Sequence, residues 1–150
     1  MDRILVPIDG SPTSRKAADM AIDIARKYGS ELIFMTVARR PEIIGTGSSG
    51  YGGAYNMDML TEELEKHQTK ILDKFIEKLD LTGIKTEKRM SVGTPAEEIA
   101  DAAEELGADL IVIGRRGYSR LKRFFVGSVS QRVISESPCP VLVVNDDAAE

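Results

Sequence analysis

Short apolar runs alternate with helix-period segments along the whole chain, and this alternation narrows the possible folds more than any other feature of the sequence. Arg3-Ile-Leu-Val-Pro-Ile8 reads as a strand. Asp9-Gly-Ser-Pro12 is a turn that opens a helix, with Ser11 as N-cap and Pro12 at the first helical position, where its missing N–H costs nothing. Ala17, Ala21, Ile24, Ala25 and Tyr28 recur at helical spacing, and Gly29 ends that helix. Glu31 to Val37 is a second strand. Leu60, Leu64, Ile71, Phe75 and Leu79 mark a long amphipathic helix, and Ile84 to Val92 is a third strand whose polar alternation suits a sheet edge. Thr94-Pro-Ala-Glu97 has the form of a capping box for a helix running to about Leu106. Ala108 to Ile113 is the fourth strand, Ser128 to Glu136 the last helix, and Pro140 to Val144 the fifth strand. Alternating strands and helices imply a parallel α/β sheet with helices on both faces. At 150 residues the chain fits one domain, residues 1–150, with no internal repeat. Ala38 to Asn56 is Gly-rich and aperiodic, and reads as a flexible loop, either a lid or a tether. Residues 145–150 form a tail.

Parallel sheets of this kind bind ligands beyond the carboxyl ends of their strands, at the point where the strand order reverses. The first and fourth strands have the two most unusual ends, Pro7-Ile-Asp-Gly10 and Gly114-Arg-Arg-Gly117. If those strands are neighbours, both ends face one crevice. Gly114 and Gly117 suit a tight turn that lets a ligand approach the backbone. Gly127, Ser128 and Val129 open a helix and offer N–H groups to an anion, and the hydroxyls of Ser128 and Ser130 add donors. The plainer alternative is a Gly-rich strand-to-helix loop with an N-cap serine. Against it, Arg115, Arg116, Arg120, Lys122 and Arg123 lie between the glycine pairs with no acid among them. Of the chain's net charge of −4 this span supplies +5, so the remainder carries −9. One or two of these cations, Arg115 among them, meet the phosphates of a nucleotide, and the others are solvated. Leu121, Phe124 and Phe125 anchor the loop to the core.

Asp9 has two readings: an acceptor for a ribose hydroxyl or a metal-bound water, or an Asx-turn residue that caps the following helix. Ile8, Val37 and Ile113 end their strands and are placed to border a flat base, a position that plain core also explains.

Other functions find little support. One isolated basic segment in an acidic chain disfavours nucleic-acid binding, which needs a wider basic face. No apolar run approaches the ~18 residues of a membrane span. The sequence enters a strand at once, which disfavours a cleaved signal, and the single Cys139 cannot pair internally, so the cytoplasm is the expected location. One His and one Cys leave no basis for a structural zinc site. Cys139, between two prolines, reads as buried and inert, and His67 as a packed or edge residue on the stripe of the long helix. Gly45-Thr-Gly-Ser-Ser-Gly50 matches a dinucleotide fingerprint but lacks the strand before it and the helix after it. No nucleophile–base pair is evident in the sequence, and no general base beyond Asp9, so any hydrolysis of a bound nucleotide is slow.

Taken together, the motifs resemble the universal stress protein family. Its nucleotide-binding signature is Gly, two residues, Gly, nine residues, then Gly-Ser or Gly-Thr. It stands here as Gly114, Gly117, Gly127 and Ser128. The likeness also covers Ile4 to Ser11, Val92-Gly-Thr-Pro95, Ala108 to Gly114 and Ser137 to Val144. The resemblance implies a Rossmann-like, adenine nucleotide α-hydrolase-like fold with strand order 3-2-1-4-5. It also implies ATP binding, with Mg2+, in a regulatory or stress-response role. Asp9 would meet the ribose and the adenine edge, and Pro7, Ile8, Val37 and Ile113 would border the base. Gly114 would lie at the ribose, and Gly117, Gly127, Ser128, Val129 and Ser130 at the phosphates. A homodimer through Val141, Leu142, Val143 and Val144 is implied as well, besides a protein partner whose identity the sequence does not give. Arg115-Arg116 is bulkier and more basic than the pair often found there. Two alternatives stay open at this point: an enzyme of phosphoryl or nucleotidyl transfer, including a slow ATPase, or a dimeric interaction module without nucleotide.

Overall fold

A computed structural model describes residues 1–39, 53–115 and 126–145. Five strands and four helices follow in the order β1 (Arg3–Pro7), α1 (Pro12–Tyr28), β2 (Glu31–Ala38), α2 (Gly53–Glu77), β3 (Thr86–Val92), α3 (Pro95–Leu106), β4 (Leu110–Gly114), α4 (Ser128–Glu136) and β5 (Val141–Val144). The strands form one parallel sheet in the order β3-β2-β1-β4-β5, as the resemblance implied.

The central strands are apolar at nearly every position because both faces of the sheet are covered. Side chains alternate between faces. Ile4, Val6, Leu32, Phe34, Leu110 and Val112 pack with Ala17, Ala18, Ala21 and Ala25 of α1 and Leu72 of α2. Leu5, Ile33, Met35, Ile111 and Ile113 pack on the other side with Ala96, Ile99, Ala102 and Ala103 of α3 and Val133 of α4. The edge strand β3 is the polar one, and Thr86, Glu87 and Lys88 are exposed.

The helix ends largely follow their local chemistry. Ser11 caps α1 by accepting a hydrogen bond from Ser14 N at 3.2 Å, and Gly29 closes it with φ of 69°. Tyr28, counted from periodicity with the buried face, is instead 66% exposed at the last position of the helix. Thr94 is the N-cap of α3 but makes no side-chain cap bond, so the expected capping box does not form. Glu97 turns instead toward Arg132 on α4, at 3.3 Å.

The stretch read as a loop over 38–56 is shorter at both ends. Ala38 completes the β2–β3 ladder opposite Val92 and accepts a bond from Gly93 N at 2.9 Å. At the other end α2 begins at Gly53, where no apolar repeat announces a helix. The intervening residues 40–52 and the tail 146–150 lie outside the described residues. Along α2 the fully buried residue is Leu72, 2% exposed, with Phe75 against Phe34 of β2, while Leu60 is 46% exposed and His67 is on the outer surface. Cys139 is only half-buried, contrary to its reading as a core residue. No helix among the described residues is long and apolar enough to cross a membrane.

One topological detail opens the site. β1 pairs with β4 only through Ile4 with Leu110 and Leu5 with Ile111, although β4 continues to Gly114. Backbone N–H groups alternate sides along a strand. Ile8 N donates to Met35 O of β2 at 2.8 Å, which puts the missing N–H of Pro7 on the β4 side. The β1–β4 ladder stops where proline cannot extend it, and the two strands part at their carboxyl ends.

Candidate functional site

The parted strand ends form the floor of a cleft of about 650 Å³. It is bounded by the ends of β1, β2 and β4, by α2 on one flank, and by the first turns of α3 and α4 on the other. Pro7, Ile8, Asp9, Val37, Ile113, Gly114, Gly127, Ser128, Val129 and Ser130 all line it. Residues singled out from four separate stretches of sequence therefore meet in one place. Gly117 and residues 116–125 lie outside the described residues. Arg115 is described but is not among the walls. Its backbone N–H donates to Val144 O at 2.9 Å, and its carbonyl accepts from Gly127 N at 2.8 Å.

The wall formed by α4 is an N-terminus without a side-chain cap. The first residues of a helix have N–H groups with no intrahelical acceptor. Here the helical ladder starts with Gln131 N bonding Gly127 O at 3.0 Å, which leaves the N–H groups of Ser128, Val129 and Ser130 without intrahelical acceptors at the cleft. Aligned peptide dipoles make that end attractive to an anion. Two expectations change at this point. Gly127 does not offer its N–H to a ligand, because that group holds the Arg115 carbonyl. The Ser130 hydroxyl donates to Gly114 O at 2.7 Å, and Ser130 itself is 3% exposed. Both bonds clamp the first turn of α4 to the end of β4, and the donors that remain are backbone groups.

Gly114 also differs from its reading as a tight-turn residue. It is the last residue of β4, paired with Val144. A Cβ at Gly114 would lie 2.6 Å from Thr13 Cγ2 and 3.1 Å from the Thr13 carbonyl carbon, so the residue is glycine because α1 packs directly on it.

At the end of β1, the structure shows the Asx-turn reading of Asp9. Its Oδ1 accepts from Ser11 N at 2.9 Å and from the Ser14 hydroxyl, which is an Asx turn with an added side-chain bond. The Ser14 hydroxyl in turn accepts from Asp9 N at 3.1 Å and lies 3.0 Å from the Ser11 hydroxyl. Gly10, with φ of 83°, supplies the left-handed residue that the turn requires. These bonds fix the carboxylate at the rim of the cleft while Asp9 stays exposed.

Sequence reasoning missed the far wall. Met35, Thr36 and Arg39 from β2 and its exit line the cleft with Leu64 and Gln68 of α2 and Pro95 and Ile99 of α3. The Thr36 hydroxyl donates to Gln68 Oε1 at 2.8 Å. One sign was available: Thr36 is the only polar residue between Leu32 and Val37. The cleft thus presents N–H donors at α4, a carboxylate acceptor at β1, and a mainly apolar slot with one polar pair and the cation Arg39 at β2 and α2. Among the described residues no group of three His, Cys, Asp or Glu side chains is close enough to hold a metal.

The sequence profile of the universal stress protein family matches residues 1–145. Universal stress protein YxiE of Bacillus subtilis is 39% identical over 145 residues, 95% of this chain and 98% of the relative. Among solved structures, hypothetical protein MJ0577, described as a structure-based assignment of biochemical function, is similar at a TM-score of 0.84 and 29% identity, covering 97% of this chain and 96% of that one. A universal stress protein solved in complex with cAMP is similar at a TM-score of 0.58 and 26% identity, covering 96% of each chain.

Proposed function

The chain belongs to the universal stress protein family, and from that premise we propose that it is an ATP-binding regulatory protein whose bound state alters its shape and its partners. The observation that carries this reading is the pairing, across one cleft, of the α4 N-terminus with the Asp9 carboxylate. The N–H groups of Ser128, Val129 and Ser130 receive the phosphates. Asp9 accepts from the ribose hydroxyls, and its negative charge keeps phosphates at the other end. Ile8, Val37 and Ile113 give the base an apolar bed. A cleft of about 650 Å³ lies within the usual range for small-molecule sites, ~300–1,000 Å³. A structural relative solved in complex with cAMP supports nucleotide binding in general.

Mg2+ fits only as an ion carried by the nucleotide. Asp9 is the one carboxylate in the described walls, and Mg2+ ordinarily takes one or two carboxylates together with phosphate oxygens and waters. When bound, the ion neutralises phosphate charge.

We place a homodimer contact on β5, which ends the sheet with four half-buried residues, Val141, Leu142, Val143 and Val144. An apolar edge strand has unpaired backbone groups on its outer side and favours pairing with a second copy. A single half-buried cysteine suits a cytoplasmic setting.

Hydrogen exchange with and without Mg-ATP tests the proposal. We expect slowed exchange at Ser128, Val129 and Ser130 and around Asp9, together with changes beyond the cleft. Unchanged exchange throughout the chain would overturn it.

A further inference from the structure

A short chain of hydrogen bonds runs from the first turn of α4 to the outer strand of the sheet. Gly127 N donates to Arg115 O at 2.8 Å, and Arg115 N donates to Val144 O at 2.9 Å. The buried Ser130 hydroxyl donates to Gly114 O at 2.7 Å. The bond to Val144 lies one residue past the last pair of the β4–β5 ladder, Gly114 with Val144, and Asn145 after it is exposed. Ladder ends fray at lower free energy than ladder middles. Backbone groups alternate sides along β5. Ile111 N bonds Pro140 O and Arg115 N bonds Val144 O, so Pro140, Leu142 and Val144 turn their carbonyls toward β4. Val141 and Val143 turn theirs outward, to the side where a second copy would pair.

One planar unit, the Gly114–Arg115 peptide, thus holds both elements. Its C=O accepts from Ser130 of α4, and its N–H donates to Val144 of β5. Bonds at the two ends of one peptide polarise each other, so each strengthens the other. We propose that this peptide couples nucleotide occupancy to self-association, so that ATP and a second copy of the chain each tighten binding of the other. The inference rests on the nucleotide and β5-dimer readings. Phosphates need the N–H groups of Ser128, Val129 and Ser130 aimed together, which requires the α4 turn seated on Gly114. A second copy needs Val143 extended alongside β4, which requires Val144 seated on Arg115. One arrangement of one peptide serves both. Whichever partner binds first fixes that arrangement, and the other does not meet the ordering cost again. Linkage makes the effect equal in both directions.

Sedimentation equilibrium of the full chain across a dilution series, with and without saturating Mg-ATP, tests this, and calorimetry reports ATP binding in the same samples. We expect Mg-ATP to tighten the wild-type dimer about 10-fold. Ser130→Ala removes the hydroxyl from Gly114 O and, at saturating Mg-ATP, should leave a change of less than about 3-fold. Arg115→Pro removes the N–H given to Val144, should have the same effect, and replaces Ser130→Ala if that variant does not melt cooperatively. A wild-type dimer of the same strength with and without bound ATP, or the full effect retained in a folded variant, overturns the coupling while leaving nucleotide binding and the dimer intact. A wild-type chain that binds no ATP overturns the nucleotide reading, a monomer at every concentration overturns the β5 reading, and the inference falls with either.

Discussion

Thr13 Cγ2 stands 2.6 Å from the place a Cβ on Gly114 would occupy, so the Thr13 side chain in the first turn of α1 packs directly on the backbone of the last residue of β4. The first glycine of the Gly-x-x-Gly motif is thereby a packing residue as well as part of the cleft wall. Gly127 has the other profile. Its φ of −59° and ψ of 157° are open to any residue, so its backbone does not require glycine. The two glycines should fail differently when changed.

Gly114→Ala forces a methyl group into Thr13 and should destabilise the fold by about 1–3 kcal/mol. Urea unfolding measures this. Thr13→Ser in the same chain removes Cγ2 and should restore part of the loss, the remainder coming from the Thr13 backbone at 3.1 Å. Equal stability of Gly114→Ala and wild type would show that α1 does not bear on β4 as described.

Gly127→Val should leave stability within about 1 kcal/mol of wild type, because the conformation is ordinary. Its side chain obstructs the approach to the N–H groups of Ser128 and Val129. ATP affinity should fall about 100-fold, which corresponds to losing one or two hydrogen bonds to a charged group. Unchanged affinity would remove the α4 N-terminus from the site.

At the opposite end of the sheet, Asp109 ties the start of β4 to the start of the chain. Its Oδ2 accepts from Asp2 N at 2.7 Å and Arg3 N at 3.0 Å. Those N–H groups, that of Arg3 first, hold its carboxyl below the ordinary value of 3.8. A carboxylate with a depressed folded-state pKa stabilises the fold above its unfolded value, and that contribution disappears as pH falls through the lower folded value. Asp109→Asn should therefore flatten the stability profile below about pH 4, read by thermal melting across pH. Parallel profiles for the two proteins would contradict this.

Val143→Lys places a charge in the outer strand. The proposed dimer should dissociate, and light scattering should report half the wild-type mass with little change in melting temperature. A dimer of unchanged strength would move the contact elsewhere on the surface.

Much of the fold was legible because burial on both faces makes central strands continuously apolar. Leu32–Met35 and Leu110–Ile113 announce themselves this way. The unusual ends of β1 and β4 also marked the cleft correctly, since Asp9 and Gly114 both line it. Interactions between distant segments were not legible. Thr36 and Gln68 are 32 residues apart and share no local pattern. The Thr94-to-Glu97 spacing suggested a capping box, but Arg132, 35 residues beyond Glu97, draws that carboxylate away. The Gly127 N–H looked available because its acceptor, the Arg115 carbonyl, sits across a loop. Tyr28 kept the helical period to the end, yet nothing in the period shows where the sheet stops covering the helix.

The central claim is that the cleft binds ATP through the first turn of α4. The most direct measurement is a calorimetric titration of nucleotide-stripped protein with Mg-ATP, run beside Gly127→Val. We expect saturable binding of one nucleotide per chain by the wild type and an affinity about 100-fold weaker for the variant. Absence of binding by the wild type, or equal binding by both, would contradict the claim.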